Sequence, residues 1–218
     1  MSIRAKYEKE LNEVFVKLID MCHMAEIAIE KSITALKTRN DDLAREVMEN
    51  DKNVDHAERE IEQDCLKILL MEHPVAGDFR DVSAALKMIT DLERIADQAA
   101  DISEISLQFK GEAFIKEPEH IEMMAKIVSG MVKDGVSSYI NRDLELAKGL
   151  DKRDDRVDEL FETVKTDLVN LIRQNPENAD QAILFMMIAK YLERSGDHAV
   201  NIARWVIYSS TGEIPEEA

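Results

Sequence analysis

The chain carries the same acidic pattern twice, and this duplication constrains its fold more than any other feature. Residues 91–97 read DLERIAD, and the related segment YLERSGD follows 100 residues later at 191–197. Further upstream, DKNVD at 51–55 recurs 103 residues later as DDRVD at 154–158. Residues four apart share one face of a helix, so each segment places two carboxylates one turn apart. The repeat predicts two copies of one structural unit.

The composition favours helices. Glycine (7) and proline (4) are scarce among 218 residues, and aromatic residues make up only 5%. Breaks in the pattern leave long segments rich in good helix formers, with apolar residues at steps of three and four. We expect six helices, at residues 3–38, 41–72, 79–109, 118–139, 142–174 and 179–210.

These segments predict an all-α fold of two tandem three-helix bundles, related by a pseudo-two-fold repeat. The first bundle is expected at 1–111, the second at 118–210, and a C-terminal tail at 211–218. NDDL at 40–43 and NRDL at 141–144 are expected to open the second helix of each bundle. A single long coiled coil is the alternative, which the regular breaks disfavour.

The charge balance restricts the possible partners. A net charge of −17 argues against binding nucleic acid or anionic lipid, and favours cations or basic patches on other proteins. The longest apolar run, Ala182–Ala189, is too short to span a bilayer. Cys22 and Cys65 form no disulfide framework. These features predict a cytoplasmic protein that does not insert into a membrane.

The run Ala182–Ala189 is apolar around the whole helix, which is typical of a segment buried on all sides. We interpret it as the seam between the two bundles. A dimer interface is the alternative.

The acidic pairs are expected to meet across neighbouring helices. Asp55 lies about 20 residues before the turn at Pro74, and Glu93 about 18 residues after it, which places both at about 30 Å from the turn. Asp158 and Glu193 have the same relation to Pro176 in the second half. Clustered carboxylates repel one another, so a hard cation is expected to hold them together.

Lysine or arginine could also neutralise these acids, but Arg94 and Arg194 are expected to point about 100° away from the adjacent glutamates. Oxygen ligands suit Mg²⁺, Mn²⁺, Ca²⁺ or iron, and zinc is a further candidate. Asp101 and Asn201 extend each row by one turn, which gives room for more than one metal.

Other patterns carry less weight. His56 and His198 each follow a motif aspartate but are expected to point elsewhere. Glu117 and His120 have the Glu-x-x-His spacing of di-iron carboxylate proteins, but they lie in the linker. No glycine-rich phosphate loop or hydrolase pattern is present, so an enzyme is not predicted.

The duplicated LERxxD motif, the paired DxxVD segments and the PVAGDFR segment at 74–80 resemble the PhoU family of phosphate-uptake regulators. The resemblance covers almost the whole chain. It implies two three-helix bundles whose acidic motifs bind metal clusters, in a cytoplasmic and often dimeric regulator. It also implies two partners, the ATPase subunit of the phosphate ABC transporter and a PhoR-type histidine kinase.

Carried over by position, the resemblance implies metal ligands in both halves, with Ala96 standing where the motif usually has glycine. They are Asp51, Asp55, Glu93, Asp97 and Asp101 in the first half, and Asp154, Asp158, Glu193, Asp197 and Asn201 in the second. Two other hypotheses remain: a metal-buffering protein that uses the same carboxylates, and a purely structural helical scaffold. A divergent relative serving another transporter is also compatible with the motif.

Overall fold

The computed structural model describes residues 3–71 and 74–214, and most of this part of the chain is helical, without a strand. Two 3-10 turns, Leu107–Phe109 and Pro176–Asn178, follow the third helix and precede the last one. The all-α prediction is confirmed. The helices are α1 (Ile3–Thr38), α2 (Asp41–Met71), α3 (Ala76–Ser106), α4 (Glu119–Asn141), α5 (Leu144–Lys148), α6 (Leu150–Gln174) and α7 (Ala179–Thr211).

Helices α1–α3 form one antiparallel bundle, and helices α4–α7 form the other. The single helix expected at 142–174 is interrupted at Gly149, whose N–H bonds to the carbonyl of Glu145. Helices α5 and α6 together therefore take the place of α2. Of the C-terminal tail, Thr211 ends α7, and residues 215–218 lie outside the described residues.

The structure corrects the register of the internal repeat. Arg39 and Arg142 both end a helix in the left-handed conformation, with φ of 52° and 54°. The next residues cap the following helix, because Asn40 accepts from the N–H of Leu43 and Asp143 accepts from the N–H of Leu146.

Asn40 therefore corresponds to Asp143, 103 residues later, which is the same offset as Asp51 to Asp154. The sequence-based pairing of Asn40 with Asn141 is wrong by two residues, since Asn141 still belongs to α4. The offset falls to 100 residues only beyond the hairpin turns, in α3 and α7.

The two bundles meet where α3 packs antiparallel against α7. Arg80 near the start of α3 donates to the carbonyl of Ser209 near the end of α7. Further along α3, the Ser195 hydroxyl bonds to Gln98 Oε1 at 2.5 Å. The motif segments of the two halves thus pack against each other across the seam.

The apolar run Ala182–Ala189 is buried only in part. Phe185 packs against Phe109 and Phe114 at the end of the first bundle, as an inter-bundle position would. Ile183 and Met187, however, are 56% and 41% exposed. The expectation of burial on all sides is wrong, because this part of α7 lies at the edge of the seam. No helix in 3–71 or 74–214 has the length and apolarity needed to cross a bilayer.

Candidate metal centre

The first bundle brings carboxylates from two helices together, as predicted. One oxygen each from Asp51 and Asp55 of α2 and from Asp97 of α3 lie within 4.8 Å of one another. No second group of three such ligands lies as close together among the described residues. The first cluster is defined here as Asp51, Asp55, Glu93, Asp97 and Asp101, all of them half-buried.

The packing of α2 on α3 explains why these acids converge. Val54 is buried between Asp51 and Asp55 in sequence, and it fixes which face of α2 meets α3. On α3, Leu92 and Ala96 are buried at the same level. The acidic residues therefore border the core, where the helices approach closely, instead of pointing to open solvent.

The acids of the first cluster lack adequate counter-charge. Burial, and then the charges of Asp97, Asp55 and Asp101, raise the pKa of Asp51 to about 6. Burial is also the main reason that the pKa values of Glu93 and Asp97 are raised. Asp51 Oδ1 and Glu93 Oε2 are buried without a hydrogen-bond partner. Such a group of oxygens is a fitting site for a cation.

Arginines compensate the first cluster in part. Contrary to the expectation from sequence, Arg94 Nη1 bonds to Asp97 Oδ2 at 3.1 Å, and its Nε lies 3.5 Å from Glu93 Oε2. The long side chain turns back along the helix, which adjacent Cα directions do not reveal. Arg94 is more than half exposed, and an exposed ion pair contributes only about 0–1 kcal/mol. A buried cation would neutralise the carboxylates more effectively.

The second cluster, defined as Asp154, Asp158, Glu193, Asp197 and Asn201, resembles the first but differs in exposure. Burial and then the charges of Asp197, Asp158 and Glu193 raise the pKa of Asp154 to about 7. Because charges act on one another in this way only over short distances, the four acids lie near one another. Asp158 and Asp197, however, are exposed.

The second cluster also contains a basic partner of its own. Lys190 forms an ion pair with Glu193, whereas Thr90, at the matching position of the first bundle, bonds to Glu58. Asn201 is engaged by Arg204. The first cluster is therefore the better candidate for metal binding.

Gly196 has a steric role that the motif alone did not reveal. A Cβ atom placed on Gly196 would lie 2.5 Å from Asp154 Oδ1, so the absence of a side chain lets the carboxylate sit against α7. Asp154 Oδ1 is buried there without a hydrogen-bond partner. The sequence signal was a glycine in the middle of a helix, where it costs about 1 kcal/mol relative to alanine.

The histidines beside the motifs serve other contacts. His198 Nδ1 lies 2.9 Å from Asp91 Oδ1 across the seam, and exposed His56 lies 3.8 Å from Glu60. The expected linker position of His120 is wrong, since this residue lies in the first turn of α4, with its Nδ1 3.7 Å from Asp167 Oδ2. The tight grouping in the first cluster consists only of oxygen ligands, which suits magnesium, manganese, calcium or iron better than zinc.

These features define a helical protein of two tandem three-helix bundles, each with an acidic cluster between its last two long helices. A comparison with known proteins likewise finds two repeats in the chain. The PhoU domain matches residues 18–106 and 121–206, and the chain belongs to the PhoU family.

Known relatives and a solved structure match this chain over nearly its full length. The chain is 37% identical to a phosphate-specific transport system accessory protein PhoU homolog of Aquifex aeolicus, over 96% of this chain and 95% of that protein. It is 33% identical to the homolog of the same name from Clostridium acetobutylicum, over 96% of both chains. The crystal structure of PhoU from Pseudomonas aeruginosa superposes with a TM-score of 0.90 at 29% identity, over 95% of this chain and 100% of that one.

Proposed function

We propose that this protein regulates phosphate uptake as a metal-dependent accessory protein of a phosphate transport system. Support comes from the PhoU domains and from the names of the relatives, which are phosphate-specific transport system accessory proteins. In this proposal it acts in the cytoplasm. When phosphate is plentiful it restrains both the ATPase subunit of the transporter and a PhoR-type histidine kinase.

The observation that carries the metal part of the proposal is the grouping of Asp51, Asp55 and Asp97. A divalent or multinuclear metal bound there would neutralise the repulsion between α2 and α3 and fix the spacing of the two helices. Asp51 and Asp55 would hold it from one helix, and Asp97, with Glu93 and Asp101, from the other. The ordered acidic face would then bind basic patches on the partners.

The proposed partners are tested in cells that lack the native gene. Phosphate uptake and a phosphate-starvation reporter are measured after complementation with wild-type protein, Asp97→Asn or Glu104→Gln. Asp97→Asn removes one charge of the first cluster at nearly constant shape. Glu104→Gln is the control, because it neutralises an exposed acid on the same helix. Only the wild type and the control should restore repression at high phosphate.

Metal buffering without signalling is the second candidate, favoured by the presence of a second acidic cluster in the other bundle. Affinity purification from phosphate-replete cells separates the two functions. Recovery of a transporter ATPase or a histidine kinase supports the regulator. Abundant metal with neither partner supports buffering. Light scattering on the purified protein tests whether it acts as a homodimer, as the family resemblance implies.

A further inference from the structure

The two acidic clusters differ at one position on the helices that carry the LERxxD motif. Lys190 on α7 forms an ion pair with Glu193 of the second cluster, three residues further along the helix. Thr90 stands at the matching position of α3, 100 residues earlier, and carries no charge. Arg94 and Arg194 occupy the same position in both halves, so they do not make this difference. The second cluster therefore has a cation at a position where the first cluster has a hydroxyl group.

Contacts between the helices show that these positions correspond in space as well as in sequence. In the first bundle, the hydroxyl of Thr90 donates to Glu58 Oε1 of α2 at 3.2 Å. Helices α2 and α6 are related by the 103-residue offset, so Phe161 corresponds to Glu58. In the second bundle, Lys190 Nζ lies 5.5 Å from the centroid of the Phe161 ring. The same two helix positions thus touch in both copies, but both side chains differ.

The paired exchange directs the lysine charge towards the acidic cluster. A lysine in place of Thr90 would lie beside the carboxylate of Glu58, which belongs to neither cluster. Phe161 offers no carboxylate, and its ring holds the ammonium group by a cation–π contact. Lys190 therefore pairs with Glu193, whose side chain is only 15% exposed.

The charge of Lys190 also reaches the other acids of the second cluster. Burial raises the pKa values of Asp158 and Asp197, and Lys190 opposes this shift in both. An ammonium group and a divalent cation repel each other, so a metal that binds these acids has to displace Lys190. The lysine is thus placed to compete with a metal at the second cluster.

We propose that Lys190 is the built-in counter-ion of the second cluster, so that only the first bundle depends on a divalent metal to hold its acidic helices together. The second cluster then binds divalent cations only weakly, although the family resemblance implies metal ligands in both halves. The exposure of Asp158 and Asp197 adds to this, since water already screens their charges. The metal requirement of the first cluster rests on the proposed function, whereas the effect of Lys190 on stability is measured without metal.

Thermal unfolding in chelator tests the lysine by itself. Lys190→Met keeps most of the hydrocarbon stem and removes the charge. Lys165→Met is the matched control, because Lys165 forms an exposed ion pair with Glu162, also three residues away. Lys190→Met should lower the thermal midpoint by about 2–4 °C more than the control, since the second cluster then loses its counter-ion. Equal midpoints of the two variants would overturn the proposal, whether or not the wild type binds a metal.

Calorimetric titration with Mn²⁺ tests whether the lysine sets the metal affinity. Lys190→Met should tighten the weaker binding event by at least about threefold, because the metal no longer has to break an ion pair. Thr90→Lys combined with Glu58→Phe recreates the second-bundle arrangement and should weaken the tighter event by a similar factor. Glu58→Phe alone is the control for the lost acid.

The outcomes separate this proposal from the proposed function. Wild-type binding with affinities unchanged in Lys190→Met would overturn the role of Lys190 and leave the metal site of the first cluster in place. A wild type that binds no Mn²⁺ would contradict the proposed function, and the midpoints in chelator would still decide the role of Lys190. If the double variant does not fold, Lys190→Met alone decides.

Discussion

The carboxylate of Asp154 rests against the backbone of Gly196, at a place where a Cβ atom would lie 2.5 Å from Asp154 Oδ1. This contact joins α6 to α7 at the centre of the second cluster. Ala96 occupies the corresponding position in the first bundle, beside Asp51. The two clusters therefore hold their first aspartate in different ways.

Gly196→Ala should displace Asp154 and weaken cation binding at the second cluster. The added methyl group costs about 1–3 kcal/mol by overpacking, and the better helix propensity of alanine returns about 1 kcal/mol. We expect net destabilisation of about 1 kcal/mol in denaturant unfolding. Ala96→Gly is the reciprocal control, which should cost about 1 kcal/mol through helix propensity and about 1 kcal/mol more through the buried methyl group that it removes. Greater stability of Gly196→Ala would show that Asp154 moves away freely.

The metal-free protein should lose stability as the pH rises. The pKa of Asp51 is raised to about 6 and that of Asp154 to about 7, so the folded state binds protons more tightly than the unfolded chain. The contribution of these groups to stability is complete below pH 4 and is lost as the pH rises through about 6 and 7.

Because both groups are partly exposed, we expect a loss of about 1 kcal/mol for each. Denaturant unfolding in chelator between pH 4 and pH 8 measures it, against Asp51→Asn and Asp154→Asn as controls. The free energy of unfolding should fall less steeply between pH 5 and pH 7 in each variant. If both variants kept the wild-type pH dependence, Asp51 and Asp154 would not be its source.

The contact between His198 and Asp91 should couple the two bundles. Their side chains are mostly buried and lie 2.9 Å apart across α3 and α7. His198→Ala should destabilise the protein by about 2 kcal/mol, since it leaves the Asp91 carboxylate without its partner. A double-mutant cycle with Asp91→Asn should give a coupling energy of about 1 kcal/mol. A coupling energy near zero would show that the contact does not stabilise the seam.

The pair formed by Arg142 and Asp81 should stabilise the fold on the other side of the seam. Arg142 Nη2 lies 2.6 Å from Asp81 Oδ2, and the Asp81 side chain is 7% exposed. Burial already raises the pKa of Asp81, an effect that Arg142 opposes. Arg142→Met leaves the buried Asp81 carboxylate without its partner, which destabilises the fold. We expect a cost of only about 2 kcal/mol, because the arginine side chain is itself partly exposed.

Arg39→Met is the matched control for Arg142→Met, at the equivalent left-handed position. Arg39 stacks on Phe114 instead of pairing with a buried acid. Denaturant midpoints should therefore fall much further for Arg142→Met. Equal losses would indicate that the backbone conformation, and not the ion pair, determines the cost.

Sequence patterns predicted the long helices well, because their apolar spacing and caps are local. The ends of α1 and α7 match within a residue. The break at Gly149 and the pairing of Asn40 with Asp143 escaped prediction, since a short insertion shifts the register without changing the helical pattern. Hydrogen bonds at the loop were needed to align the repeats.

The candidate site was predictable to the level of which acids converge. Asp51, Asp55 and Asp97 meet because the distances from a hairpin turn follow from the helical rise. The return of Arg94 to Asp97 depends on side-chain rotamers, which sequence spacing does not fix.

The central claim is that the first cluster binds a cation between α2 and α3, and titration of metal-free protein with Mn²⁺ by calorimetry tests it most directly. Wild-type protein and Asp197→Asn should both keep the tighter binding event. Asp97→Asn should weaken that event by at least about tenfold, because it neutralises one of the three acids whose oxygens lie closest together. Unchanged tight binding in Asp97→Asn would contradict the account and assign the cation to another site.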